Sequence, residues 1–174
     1  MKDVSVHKDF LTEQEGFKLW THANNAQYER NWMADIFTHR NNGRFVHHIN
    51  PDIFLEHYAN FWVRLEKEMG FKLDLLDAYI NFSNAHTVTL THYDSFEDDF
   101  FTVLIFVNQE WNKDWAGYTA FFKEMDKNEF ILVEVPEYRK MIIFKSSIPH
   151  YALPPTITAP DRFTLALKTR KINE

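Results

Sequence analysis

Ahead of residue 73 the apolar positions recur at helical spacing, and beyond it they recur at every second position. Thr12–Glu13–Gln14–Glu15 reads as a capping box in front of Phe17, Leu19 and Trp20. Asn50–Pro51 reads as a cap with proline at the first helical position. After it Ile53, Phe54, His57, Tyr58, Phe61, Trp62, Leu65 and Met69 fall on one helical face, and Gly70 supplies the stop. That spacing predicts an amphipathic helix of about twenty residues, which needs a surface to cover. Between the two helices Asn41–Asn42–Gly43 has the chemistry of a turn.

The two-residue period predicts strands near 74–83, 86–94, 99–107, 117–124, 129–135, 139–146, 149–154 and 161–170. Short strands joined by turns point to an antiparallel double-sheet jelly roll, or double-stranded β-helix. The expectation is one α+β domain over 1–174, with a helical region at about 1–72 buttressing a jelly-roll core at about 73–171. No internal repeat, low-complexity tract or linker interrupts it.

Composition changes the picture little. In 174 residues, 45% are hydrophobic and 17% aromatic, enough for a packed core. A net charge of −6 argues against nucleic acid or an anionic membrane as partner. Arg139, Lys140, Lys145, Lys168, Arg170 and Lys171 gather in the C-terminal third and read as a solvated surface. There is no cysteine, so neither a disulfide nor a thiolate metal site can form. No apolar run reaches the ~18 residues of a membrane helix. With no signal peptide in view, a soluble cytoplasmic protein is the expectation.

The candidate chemistry lies in the strands. His92–Tyr93–Asp94 is a His-X-Asp motif, His150 a second histidine, and Arg162 a cation on the last strand. If 86–94 is extended, His86, Val88, Leu90, His92 and Asp94 share one face, as two ligands of one metal require. Two imidazoles and one carboxylate leave positions open on an Fe(II) ion, the arrangement of non-haem oxygenases. On the last strand Arg162, Thr164 and Ala166 face one side; the cation, hydroxyl and small side chain leave room for an anion. A guanidinium pairs with carboxylate through charge-assisted hydrogen bonds. The motif alone is common by chance, so its context must decide.

That context resembles the 2-oxoglutarate- and Fe(II)-dependent dioxygenases, specifically the small prolyl-4-hydroxylase-like branch. The resemblance covers about residues 76–170. It is carried by Asp77–Asn81, Thr91–Asp94, Thr102–Asn108, the turn Trp111–Gly117, Ile143–His150 and Arg162–Ala166. It implies that His92, Asp94 and His150 hold Fe(II) and that Arg162 and Thr164 hold the far carboxylate of 2-oxoglutarate. Tyr79 aligns with a family tyrosine near the keto-acid end, or is an ordinary core tyrosine. The implied reaction hydroxylates an unactivated C–H bond with O₂, releases succinate and CO₂, and is stimulated by ascorbate. The substrate is a peptide or protein, with prolyl 4-hydroxylation the family-level expectation, or a small molecule. The chain departs from the family in three places. Phe106 stands near where relatives often have a tyrosine, Ala116–Gly117 where they commonly have two glycines, and the His150–Arg162 interval is long.

Other residues read more plainly. Phe100, Phe101, Phe106, Phe121 and Phe122 read as core rather than a substrate cage. His47 and His48 point apart in extended chain and read as turn or surface residues. His86 is a weak candidate, and Glu97, Asp98 and Asp99 read as a solvated loop near an entrance. The alternative is a cupin-like jelly roll that uses the same ligands without 2-oxoglutarate, for which an inward Arg162 has no purpose. A silent binding module is a third reading, against which the intact triad counts. Oligomeric state is not legible.

Overall fold

The computed structural model describes residues 3–35, 40–87 and 89–172. Ten strands and three α-helices follow one another as β1 Val4–His7, α1 Glu13–Asn25, β2 Glu29–Asp35, β3 Arg40–Ile49, α2 Pro51–His57, α3 Ala59–Met69, β4 Leu73–Ser83, β5 Phe100–Phe106, β6 Thr119–Phe122, β7 Phe130–Glu134, β8 Met141–Lys145, β9 His150–Ala152 and β10 Arg162–Lys171. The strands form a seven-stranded sheet, β1-β8-β5-β10-β4-β3-β2, and a three-stranded sheet, β7-β6-β9. All pairings are antiparallel. The architecture is the expected α+β jelly roll with helices against one sheet.

Alternation along the central strands builds two apolar layers. Ala78 and Ile80 of β4, Val103 and Ile105 of β5, and Phe163, Leu165 and Leu167 of β10 face the helices, where Leu19, Phe54, Phe61 and Leu65 cover them. Each such fully buried Phe or Leu contributes roughly 1.5–3 kcal/mol. The opposite phase, with Tyr79, Leu104, Phe106 and Ala166, faces the small sheet and meets Phe121, Phe144 and Ile148. The five phenylalanines expected in the core are buried, except that Phe100 is half-buried. The cap expected at Thr12 forms both reciprocal bonds with Glu15, and Glu15 also pairs with Arg64 of α3 at 2.6 Å, fastening the two helices.

The N-terminal stretch is not wholly helical, contrary to expectation. β1, β2 and β3 lie within it, each held by a partner that a local pattern does not reveal, such as Val4 opposite Phe144. Gly43 is not in a turn; it pairs with Trp32 inside the β2–β3 hairpin, whose connection falls outside the described residues. The single helix expected after Pro51 is divided at Tyr58 (φ −125°, ψ 31°), although Tyr58 and Trp62 still donate to the carbonyls four residues back at 2.9 Å. Tyr58 stacks on Phe54 with centroids 4.8 Å apart. Gly70 ends α3 in the left-handed conformation that the stop requires.

The expected strand at 86–94 does not form. Asn84 and Thr87 close a tight turn on one another, with Asn84 N–H donating to the Thr87 hydroxyl at 2.9 Å and His86 N–H to Asn84 Oδ1 at 3.0 Å. Side-chain bonds of this kind compete with a strand ladder. Val88 lies outside the described residues. Among the described residues of that segment only His92 keeps a bridge, to His150 at the start of β9. No helix among the described residues is long and apolar enough to cross a membrane.

Candidate metal centre

His92 and Asp94 sit on the irregular segment and His150 opens β9, so two elements from opposite sides of one bridge bring the three together. Backbone bonds of 3.0 Å in each direction join His92 to His150, and Asp94 N–H donates to Ser146 carbonyl at 2.9 Å. One ligand atom from each side chain lies within 4.8 Å of the other two. The grouping expected from the sequence is therefore present, though not through a shared strand face. His92 Nδ1 donates to Leu90 carbonyl and His150 Nδ1 to Ile148 carbonyl, both at 2.9 Å. These bonds fix the tautomer and leave each Nε2 lone pair for a metal, the usual orienting device for ligating imidazoles. His150 also packs against Phe121 and Phe144, which exclude water behind it.

Lys168 of β10 completes the cluster, and the sequence reading placed it wrongly on a solvated surface. Its ammonium contacts Asp94 Oδ2, and the Thr102 hydroxyl donates to the same oxygen at 2.7 Å. Thr102 in turn bonds Ser146 at 3.0 Å. Burial pushes the Asp94 carboxyl up, but the Lys168 ammonium and the two imidazoles beside it hold it well below the usual carboxylate range. Burial lowers His150, against the pull of Asp94, to about 3, so it stays neutral at physiological pH. Lys140 departs from the solvated reading too: it is buried, with Glu134 at 2.8 Å as its partner. Arg170 is exposed, as expected, and pairs with Asp74 at the surface.

A cavity opens between the sheets beside these residues. Arg162, Thr164, Ala166 and Lys168 line it from β10, and Tyr79, Asn81 and Ser83 from β4. Register explains the grouping, since Arg162 pairs with Ser83, Thr164 with Asn81 and Ala166 with Tyr79. Arg162 is buried, and burial lowers its pKa to about 10. It donates to Thr119 at 2.9 Å and its guanidinium carbon lies 5.3 Å from the Phe106 ring centroid. Phe106 therefore offers Arg162 a π face where a tyrosine would offer a hydroxyl.

Arg162 Nε, Thr164 Oγ1, Asn81 Oδ1 and Ser83 Oγ are buried with no hydrogen-bond partner among the described residues. A buried polar atom left unpaired costs about 1–3 kcal/mol, so four around one cavity mark it as built for a polar ligand. A cation and hydroxyls at one end with a two-His, one-carboxylate group at the other fit a metal-chelating dicarboxylate.

The turn at Trp111–Gly117 supports this end of the cavity. Trp111 donates its indole N–H to Ala116 carbonyl at 3.0 Å. Ala116 takes φ 56° and Gly117 φ 73°, so both stand in conformations that suit glycine, where the family commonly has two. A Cβ on Gly117 would lie 2.7 Å from Trp111 Cζ2 and 3.2 Å from Arg162 Cδ. The turn thus closes on Arg162 itself.

No protein-family model matches the chain, and no curated protein matches its sequence. Solved structures do match. A Pseudomonas putida prolyl-4-hydroxylase is 16% identical with a TM-score of 0.71, over 98% of this chain and 93% of that one. A Trichoplax adhaerens prolyl hydroxylase, in complex with a hypoxia inducible factor oxygen degradation domain peptide fragment, is 14% identical with a TM-score of 0.73, over 98% and 84%. A 2OG-Fe(II) oxygenase family oxidoreductase from Burkholderia pseudomallei is 14% identical with a TM-score of 0.73, over 98% and 86%. The fold is that of the 2-oxoglutarate- and Fe(II)-dependent oxygenases. At these identities the likeness establishes the fold, and the site must be argued from this chain's residues.

Within this oxygenase fold the remaining candidates sort by position. Tyr79 is buried and lines the cavity with its ring 5.7 Å from the Lys168 ammonium. His86, Glu97 and Asp98 are exposed, Asp99 is half-buried, and none of them lines the cavity. His47 and His48 lie in strand β3, not in a turn, and do point apart: His47 meets His22, and His48 meets Asp77. Lys168 continues the phase of Arg162, Thr164 and Ala166 by one more step of two, a signal that the sequence did carry. Thr102 and Ser146, which hold Asp94, had no such signal.

Proposed function

We propose that the chain is an Fe(II)- and 2-oxoglutarate-dependent oxygenase that hydroxylates an unactivated C–H bond, with His92, Asp94 and His150 as metal ligands. One observation carries the reading. A single cavity joins that triad to the unpaired Arg162 Nε and Thr164 Oγ1, donors suited to a carboxylate. When bound, Fe(II) and 2-oxoglutarate supply the O₂-dependent oxidation, with succinate and CO₂ released and ascorbate as stimulant.

The protein's part is placement. Leu90 and Ile148 carbonyls fix the imidazoles. Thr102 and Lys168 hold Asp94 ionised and oriented. Arg162 and Thr164 orient the far carboxylate so that the keto-acid end faces the triad, Tyr79 lines the wall beside Lys168, and the apolar layer behind His150 keeps water out.

For substrate we propose a proline-containing peptide. The prolyl-hydroxylase-like turn on Arg162 and the Trichoplax structure with its bound peptide fragment support this class. The test is succinate yield from purified protein with Fe(II), ascorbate and 2-oxoglutarate across peptides, free amino acids, sugars and oligonucleotides, with a +16 Da product sought by mass spectrometry. Stimulation by proline peptides is expected. Stimulation by free amino acids alone moves the substrate to small molecules, and by oligonucleotides alone overturns the peptide class. Arg162→Ala should raise the 2-oxoglutarate KM by a factor equivalent to ~2–5 kcal/mol. Thr164→Ala should cost less, about 0.5–1.5 kcal/mol. Unchanged 2-oxoglutarate binding in Arg162→Ala would favour the cupin-like reading.

A further inference from the structure

A second group of imidazoles lies outside the cavity. α1 contributes His22 and β3 contributes His47, and their Nε2 atoms approach to 3.0 Å from positions 25 residues apart. His47 Nδ1 donates to Gln27 carbonyl at 3.0 Å. That is the same device that orients His92 and His150, and it turns the His47 Nε2 lone pair toward His22. The pair is partly buried, with the Tyr28 ring 6.1 Å from that of His47.

We propose that His22 and His47 form a second metal site, for a divalent ion that favours cis imidazole ligands, Cu(II) or Ni(II). Metal–imidazole bonds of about 2.0–2.1 Å at right angles place two nitrogens ~2.9 Å apart, while a tetrahedral ion needs ~3.3 Å. The observed 3.0 Å matches the first. Burial, and then the nearby His47, His57 and Lys18, lower the His22 pKa, which favours the neutral imidazole that a metal requires. In the metal-free chain His22 Nε2–H donates to His47 Nε2; on binding, the His22 proton moves to Nδ1, the other neutral tautomer, and the ion takes both Nε2 lone pairs. Solvent fills the remaining positions. The bound ion would clamp α1 to β3. The proposal is independent of any reaction at the cavity.

The test is a Ni²⁺ titration of the full chain, stripped of metal with EDTA, by calorimetry and by metal analysis after gel filtration. Two ions per wild-type chain are expected, and one in His22→Gln and in His47→Gln. The His92→Ala/His150→Ala variant, folded by circular dichroism, should retain one ion and melt at higher temperature with Ni²⁺ than without it. Adding His22→Gln to that variant should remove both the ion and the thermal shift. If the double-alanine variant does not fold, the single glutamine variants decide through their stoichiometry alone. An ion count that is the same in His22→Gln as in wild type would overturn the proposal and leave the contact an N–H···N hydrogen bond.

Discussion

Replacing Lys168 with Met tests whether the ammonium is a built part of the centre. Asp94 and Lys168 side chains are 7% and 20% exposed, so the pair is largely screened from water. Breaking a buried ion pair by removing one partner costs about 3–5 kcal/mol, because the other charge is left behind. The Thr102 hydroxyl, 2.7 Å from the same oxygen, stays in place and leaves the carboxylate one hydrogen bond. A loss of roughly 3–5 kcal/mol is therefore expected in the metal-free protein, measured by urea unfolding at constant m-value. Asp94→Asn in the same chain should recover part of it, giving a coupling energy above about 1 kcal/mol in the double-mutant cycle. Saturating Mn²⁺ should raise the stability of Lys168→Met, since the metal replaces the missing positive charge. A loss under ~1 kcal/mol with no coupling would mean that Lys168 relaxes into solvent, and the arrangement around Asp94 would have to be abandoned.

Three further outcomes follow from particular contacts. Gly117→Ala puts a Cβ 2.7 Å from Trp111 and forces alanine to φ 73°, so a loss of about 1–3 kcal/mol and weaker 2-oxoglutarate binding are expected by thermal melts and calorimetry; an unchanged affinity would separate the turn from Arg162. Acidification should destabilise the metal-free protein well before carboxylates titrate. His150 is depressed to about 3 when folded, so between there and its unfolded value near ~6.5 only the unfolded chain takes the proton. Stability then falls as pH drops, by up to ~1.4 kcal/mol per unit, and His150→Gln should flatten that slope in unfolding curves at pH 4–7. Phe106→Ala removes the ring 5.3 Å from the Arg162 guanidinium and should weaken 2-oxoglutarate binding several-fold, checked by calorimetry on the metal-loaded protein.

The strands most legible in the sequence were those with strict alternation and a buried face on each side, such as β4, β5 and β10, whose ends lie within a few residues of expectation. β1 is four residues long and depends on Phe144 and its neighbours far along the chain, so no local period marks it. The segment at 86–94 alternates well yet forms no strand among its described residues, because Asn84 and Thr87 satisfy backbone groups from their side chains and Asp94 and Ser95 share the Ser146 carbonyl. His92 and Asp94 were rightly grouped for a reason that does not hold: register to His150 converges them, not strand phase. Lys168 looks like one more member of a basic surface cluster along the sequence, whereas the two-residue step from Ala166 puts it beside Asp94. Thr102 carries no charge or motif, and only the pairing of β5 with β10 brings it to the site.

The most direct test of the central claim is 2-oxoglutarate turnover by the purified protein. With Fe(II), ascorbate and O₂, slow conversion to succinate is expected even without substrate, lost when Fe(II) is omitted. His92→Ala, Asp94→Ala and His150→Ala should each abolish it while circular dichroism shows the fold intact. Succinate release that needs no Fe(II), or that survives in any of the three variants, would contradict the assignment of that triad as the metal centre.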